Sequence, residues 1–427
     1  MRRSSKFATR AFALVFAFYP LFSVAAQAQE TRAQAEDSRN TSVQERERPE
    51  YDPHGLRFGG FRAEPAAYVE VTTTDNLFAE ASDKDSDVVT SVGARLPISS
   101  NWGRHALRVT AGVERRIHNE FPSDDVTTGY IGADGRLDIG ARSAANVYVR
   151  YNRMAEERYS PNAPTDAIEP IQYDMMEYAL AGSHRFNRLR VEARIDQRDF
   201  DFHDAPGQIG IVEQDGRDRT EREFTARGQY DVTPDVAVLA EARVNERDYD
   251  WAPPATPFNR DSSGLTLLVG AAFDVTRLIR GQVAAGYLEQ DYDDAAFGRV
   301  SGVAIDSRVE WFPSELTTVT LTANRQIDET SFMTAASYVL SRYGARIDHE
   351  LFRNVILYAS AAKGRRDYRG IDREDDVWSA EAGASYTLNR RAALRGGYRR
   401  EEQQSRGLNR DRDLDVNQFF AALTLRI

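Results

Sequence analysis

The side chains best suited to chemistry in this chain are six histidines, His54, His105, His118, His184, His203 and His349, and they are scattered. None forms an HExxH or a His-x-His pair, the spacings that bring two imidazoles onto one metal ion. The absence of cysteine removes thiolate ligands, disulfides and thiol nucleophiles. No GxSxG elbow and no phosphate-cradling glycine loop occurs. Ser183 and His184 are chain neighbours, so on a strand they point to opposite faces and not at each other. Two acidic clusters, Asp291, Asp293 and Asp294 and then Asp372, Glu374, Asp375 and Asp376, lack the spacing of a calcium loop and read as solvated loops. The expectation is a protein without catalytic residues, metal or cofactor.

What remains is arginine and carboxylate at two-residue spacing, interleaved with apolar residues. Leu107, Val109, Ala111 and Val113 alternate with Arg108, Thr110, Gly112, Glu114 and Arg116; Leu189, Val191, Ala193 and Ile195 alternate with Arg190, Glu192, Arg194, Asp196 and Arg198. The same pattern recurs at Val236–Arg247, Leu265–Asp274, Val303–Trp311 and Gln418–Ile427. Alternation with period two is the signature of a strand with one wet and one apolar face. A wet face inside and lipid outside describes a membrane barrel, where a midplane Arg or Lys facing lipid costs about 2–4 kcal/mol. That cost assigns the charged set to a lumen: Arg108, Glu114, Arg116, Arg190, Glu192, Arg194, Arg198, Arg227, Glu241, Arg243, Arg308, Arg342, Arg346, Glu381, Arg395 and Arg399, with Arg150 and Asp196 beside them. Such residues can act as cross-strand ladders that hold a barrel round. An excess of wall arginine would also favour anionic solute, such as acidic polysaccharide.

The elements that must position these residues are hairpins. Short turns fall near Pro97–Arg104, Ile139–Ala144, Phe186–Arg188, Val232–Asp235, Val275–Leu278, Phe312–Glu315, Leu351–Asn354 and Leu388–Arg391. An apolar residue ends the strand, and Thr, Ser, Asn or Pro makes the turn. These turns predict an all-β, transmembrane antiparallel β-barrel of about 18 strands, with 16 as the alternative, over residues 61–427. The longer connections, Asn76–Asp87, Tyr159–Tyr173, His203–Arg219, Tyr249–Ser262 and Gln404–Asp413, belong on the extracellular side. A constriction loop folded into the lumen would mark a diffusion porin, and His203–Arg219 is the best candidate for that loop. Tyr148, Tyr151, Tyr230, Phe273, Trp311, Phe312, Tyr358, Trp378, Tyr386 and Tyr398 fall near strand ends, as interfacial girdles require.

The ends and composition agree with export. Arg2, Arg3, Lys6 and Arg10 precede an apolar stretch, Ala11–Ala26, and Ala26-Gln27-Ala28 is a small-x-small cleavage site, so residues 1–28 read as a signal peptide. Residues 29–60 are polar and charged, cannot fold alone, and are expected as a disordered periplasmic leader. Mean hydropathy is −0.56, which a helical membrane protein cannot have and a barrel can. A formal charge of −11 argues against nucleic acid as a partner. Arginine replaces lysine almost throughout, and guanidinium forks suit carboxylates and phosphates on sugars and lipid headgroups. The expected surroundings are the outer membrane of a Gram-negative bacterium, with its lipid, lipopolysaccharide and barrel assembly machinery. Phe419–Ile427 resembles the terminal strand by which such barrels are recognised, although it ends in Ile427 where Phe or Trp is usual.

The hairpin repeat, the turns Asp231-Val232-Thr233 and Asp274-Val275-Thr276, and segments such as Val355–Ser360 followed by Arg365-Arg366-Asp367-Tyr368 carry a family resemblance. Over about Phe61 to Ile427 the chain resembles the β-barrel porins encoded with bacterial exopolysaccharide and capsule export genes. The resemblance implies passage of polymer across the outer membrane together with periplasmic polysaccharide-export proteins, and no catalytic residues. The alternatives from the residues alone are a general or solute-selective diffusion porin, and a structural barrel whose lumen is filled by its ladders.

Overall fold

The computed structural model describes residues 41–250, 258–332 and 335–427. The expected signal peptide and residues 29–40 of the leader lie outside the described residues. Eighteen long strands form the wall. They are β1 Ala66–Thr74, β2 Asp87–Ser100, β3 Ala106–His118, β4 Val126–Ile139, β5 Ser143–Ala155, β6 Gln172–Phe186, β7 Leu189–Phe202, β8 Arg219–Asp231 and β9 Val236–Tyr249. The second half comprises β10 Ser262–Val275, β11 Ile279–Tyr292, β12 Val300–Ser314, β13 Thr317–Glu329, β14 Ser337–Phe352, β15 Val355–Tyr368, β16 Glu374–Asn389, β17 Ala392–Arg406 and β18 Leu414–Arg426. Each pairs antiparallel with its sequence neighbours, and β18 closes on β1 from Gln418↔Thr74 to Arg426↔Ala66. Closure leaves the sheet without a free edge strand, as a wall in lipid requires.

The eight expected turns join the eight expected strand pairs, so the count is 18 and not 16. Their chemistry is local. Gly140 and Asn187 take positive φ, of 66° and 53°, in tight connections where a left-handed residue turns the chain back. The start of β1 and the end of β18 both lie on this short-turn side, which is the periplasmic one.

Strand alternation puts the apolar set outside. Val113, Ile131, Leu180, Ile195, Val269 (66% exposed) and Phe419 present their side chains to the surroundings of the barrel. Tyr151, Tyr230, Trp311, Trp378 and Tyr386 share that face as girdle residues. Tyr148, Phe312 and Tyr358 do not; their parity turns them into the lumen, where Phe312 and Tyr358 are buried. Outward charges such as Arg115 and Arg222 sit toward the extracellular strand ends and pair with Asp125 (3.0 Å) and Asp248 (2.5 Å).

The leader departs from expectation. Residues 41–60 are not a free tail. A short hairpin, Leu56–Phe58 with Phe61–Ala63, extends the wall by pairing Phe61 with Ser100 on β2. Residues 42–52 enter the periplasmic mouth, where Val43 is fully buried. The composition argument holds only for a segment left to itself; here the barrel supplies the burial and the counter-charges.

Candidate functional site: a bridged lumen

The sixteen candidate lumen residues, with Arg150 and Asp196, stand on the strand face opposite the exposed apolar residues. Most are paired along or across strands. Arg190 meets Glu192 at 2.8 Å, Arg194 meets Asp196 at 2.5 Å, and Arg198 meets Glu221 at 2.8 Å. Glu241 is shared by Arg227 (3.5 Å) and Arg243 (2.5 Å), and Arg243 also reaches Asp306 at 2.9 Å. Glu381 is shared by Arg395 (2.7 Å) and Arg399 (3.2 Å). Arg116 bonds Glu157 at 2.7 Å, Arg308 bonds Glu310 at 2.8 Å, and Arg346 bonds Asp348 at 2.8 Å. Glu114 accepts a hydrogen bond from Tyr68, and Arg150 stacks on Tyr130 with 4.1 Å to the ring centroid. Arg342 makes no ion pair among the described residues.

The wall is therefore less arginine-dominated than the sequence suggested. Glu70, Asp134, Glu177, Glu221, Glu223, Asp306, Glu310 and Glu401 lie on the same inner face. Asp306 and Glu310 stand within the Val303–Trp311 alternation; the others belong to strands whose alternation is less regular, or lie beyond the regular stretch. Aromatic rings fill gaps over inner-face glycines. Tyr68 lies over its cross-strand partner Gly93, and Tyr358 over Gly383; a Cβ at either glycine would collide with the ring. Tyr358 in turn carries Arg346 and Arg395 at 4.8 and 5.1 Å, and Phe420 carries Arg395 at 5.0 Å, so guanidinium and ring alternate along this side.

The segment that crosses the lumen is not His203–Arg219. It is the connection between β5 and β6, residues 156–171. Arg158 pairs with buried Asp124 at 2.7 Å, and Tyr159 packs on Ala79, Leu414 and Val416. Asn162 accepts from the Ser331 amide at 3.0 Å, and its carbonyl accepts from the Ser331 hydroxyl at 3.2 Å. Arg412 donates to the Arg158 carbonyl at 3.0 Å. Ser331 belongs to the β13–β14 connection, nearly half-way round the ring from β5. Residues 203–218 instead form a rim hairpin, Ala205–Pro206 with Ile211–Val212, which braces the crossing segment through Ile168 N–H to Pro206 O (2.8 Å) and leaves Ile209 and Ile211 exposed.

The partner that the crossing loop meets has itself folded inward. The β12–β13 ladder ends at Ile305↔Arg325, whereas β13–β14 continues to Glu329↔Ser337. Ile327 and Val339 share strand parity with outward Leu321 and Tyr343, yet Val339 is 2% exposed. Both pack on Leu239, Leu268, Ala284, Leu288, Val300 and Ala304, all on the inner face of β9–β12. Arg247 grips Glu329, which also accepts from Tyr249 (3.0 Å) and Tyr292 (3.2 Å). A sequence signal existed: β9–β12 carry Leu239, Leu268, Ala284, Leu288 and Ala304 where other strands place charge. An apolar inner face needs a cover, and among the described residues this hairpin supplies it.

Asp218 supports the rim by accepting the Phe202 amide at 2.6 Å. Burial lifts its carboxyl to about 6, against the lowering effect of that hydrogen bond, with Asp201, Asp215 and Asp250 adding to the rise. A raised carboxyl means the folded rim holds a proton that the unfolded chain releases, so its contribution is full below the ordinary carboxyl range and is lost as pH rises through about 6. Hydrogen exchange at residues 202–218 is expected to quicken above pH 6 beyond the intrinsic rate. Asp218→Asn should abolish that extra dependence, and an unchanged profile would contradict the assignment.

Two hydroxyl–imidazole pairs appear on the outer face at the turn ends, Ser143 with His184 (2.7 Å) and Thr317 with His349 (3.0 Å). Neither has a carboxylate on the second ring nitrogen among the described residues, so both act as cross-strand hydrogen bonds.

A family model described as "Putative beta-barrel porin 2" matches residues 48–427. The chain belongs to this porin family. Its barrel is accordingly an outer-membrane porin, with the β18–β1 seam, the girdles and the lumen in that membrane. No curated protein matches the sequence. Among solved structures it is similar to OpdL of Pseudomonas aeruginosa, at 15% identity over 86% of this chain and 99% of that one, with a TM-score of 0.44. It is also similar to the outer membrane protein opdK of the same organism, at 10% identity, 86% and 99% coverage and a TM-score of 0.45. The siderophore receptor PirA of that organism gives 8% identity, 87% and 81% coverage and a TM-score of 0.41.

Proposed function

We propose that this porin is a selective diffusion channel for small hydrophilic solutes. The observation that carries the reading is the bridge: residues 156–171 meet the inward β13–β14 hairpin through Asn162 and Ser331. An 18-stranded wall encloses a wide channel if nothing enters it. A polypeptide crossing that channel divides it into passages sized for small molecules, and fixed charge pairs along the wall keep them hydrated. The export of exopolysaccharide or capsule, with periplasmic export proteins as partners, is the second reading; it rests on the resemblance in sequence and requires the bridge to move aside for an extended polymer.

Arg342 is one wall cation placed to act on passing solute, because no carboxylate lies within ion-pair distance of it among the described residues. Reconstituted barrels tested by liposome swelling should admit small sugars and amino acids and exclude larger oligosaccharides. Block of ion current by an acidic polysaccharide, together with its transport, would favour the export reading. Arg342→Glu is expected to shift the reversal potential toward cation preference by several-fold in permeability ratio, while Arg194→Glu, whose target already pairs, chiefly weakens the fold. An unshifted reversal potential in Arg342→Glu would remove this residue from the solute path.

A further inference from the structure

We propose that residues 42–52 form an intramolecular plug that closes the periplasmic mouth of the lumen and opens it by withdrawing. The plug lies outside the wall strands yet bonds to strands far apart on the ring. The Val43 amide donates to Thr318 Oγ1 on β13 at 2.9 Å, and the Gln44 side-chain amide to Asp348 Oδ1 on β14 at 2.9 Å. Arg46 and Arg48 converge on Glu350, at 3.4 and 2.7 Å, and Glu350 is 2% exposed. Arg46 also donates to the Glu315 carbonyl in the β12–β13 turn. Glu45 pairs with Arg280 on β11 at 2.6 Å, while Arg280 holds Glu310 with its other edge. On the far side, Arg390 donates to the Pro49 carbonyl (2.8 Å) and Arg426 to the Tyr51 carbonyl (3.2 Å).

The segment is shaped before it docks. Glu45 and Arg46 amides return to the Ser42 carbonyl, and Tyr51 and Asp52 amides to the Arg48 carbonyl, giving two turns in succession. Arg48 ties them by donating to the Val43 carbonyl at 2.8 Å. The socket is built for it in turn. Without the segment, Glu350 keeps among the described residues only Arg353, 3.7 Å away and well exposed, as its cation. A buried carboxylate stripped of its partners is costly, so the plug and socket complete each other.

The chemistry of the contact also says that it can be undone. Val43 is the apolar anchor, and the remaining grip is ion pairs and hydrogen bonds, most of them charge-assisted. Withdrawal opens the socket to water, so Glu350 and the two arginines rehydrate and recover part of what the lost pairs supplied, which a hydrophobic core cannot do. The Val43 end reaches deepest, and the chain leaves through the hairpin at Leu56–Ala63, which stays in the wall as a fixed tether.

This inference rests on the porin reading only for its effect on current, so two readouts are needed. Because the chain has no cysteine, Thr320→Cys places a single thiol on the inner face just above Thr318. In purified barrels, a membrane-impermeant maleimide should label it slowly with residues 42–52 present and on the order of tenfold faster once they are deleted, as expected for release of a locally folded cover. Conductance should rise in the same deletion. Equal labelling with and without the segment would overturn the plug. Faster labelling with no current in either form would keep the plug and overturn the porin reading. If the deletion fails to assemble, Arg46→Ala with Arg48→Ala decides by the same two measurements.

Discussion

Removal of residues 158–168, with Glu157 joined to Glu169 by a short glycine linker, is expected to raise single-channel conductance several-fold. The argument is geometric. Ohmic conductance follows the open cross-section, and the excised segment is the one that runs from β5 toward the opposite wall at Ser331. Its loss also frees Arg412 from the Arg158 carbonyl and Asp124 from Arg158, which widens the outer vestibule. The measurement belongs in a background that also lacks residues 42–52, so that the periplasmic segment cannot mask the gain. Removing the rim hairpin 205–212 is the control: it braces the bridge through Ile168 and Pro206 but does not cross the lumen, so its effect should be smaller. Equal conductance in the bridge deletion and its parent would show that the inward β13–β14 hairpin alone sets the limiting section.

Arg373→Ala is expected to be the most destabilising single substitution on the extracellular side. Arg373 and Asp375 are both 0% exposed at the side chain and pair at 2.7 Å, with a second contact from Arg373 to Asp411 at 3.0 Å. The guanidinium also lies over the rings of Tyr368 (4.4 Å) and Phe332 (4.6 Å), and Phe332 belongs to the inward hairpin. Asp375 keeps the Ser405 hydroxyl at 2.6 Å but loses its cation. Breaking a buried pair from one side costs about 3–5 kcal/mol, because the remaining charge stays desolvated. Denaturant unfolding in detergent micelles should show that loss, and Arg373→Lys should recover only part of it, since an ammonium cannot bond both carboxylate oxygens and stack as well. The same variant should make the open current noisier, because Phe332 loses its partner. Wild-type stability in Arg373→Ala would mean that water reaches Asp375.

The wall could be read from the chain because its rules are local. A period of two, with a lipid penalty for charge on one face, fixes which side each residue of β3, β7 or β9 presents. The Asp-Val-Thr and Phe-Pro-Ser turns mark where each hairpin closes, and their number sets the strand count. The rings that were misplaced show the limit of that reasoning. Tyr148 and Tyr358 suit a girdle by type, but Tyr148 lies mid-strand and the parity of both puts them over the lumen, where Tyr358 covers Gly383 and supports Arg395.

What fills the wall is different in kind. That residues 156–171 and not 203–218 cross the lumen depends on where Ser331, Asp124 and Leu414 stand once the ring has closed, and these are far apart in sequence. The inward fold of β13–β14 depends on an apolar inner patch assembled from four strands, of which no single strand reveals more than one or two residues. The docking of residues 42–52 depends on Glu350, Arg280 and Arg426 meeting one polar segment from three directions. Sequence alone determined the barrel, its strands, its outer face and its membrane, because each follows from the spacing of neighbours along one chain. The tertiary structure alone decided how the lumen is divided and closed, because those contacts join residues that only ring closure brings together.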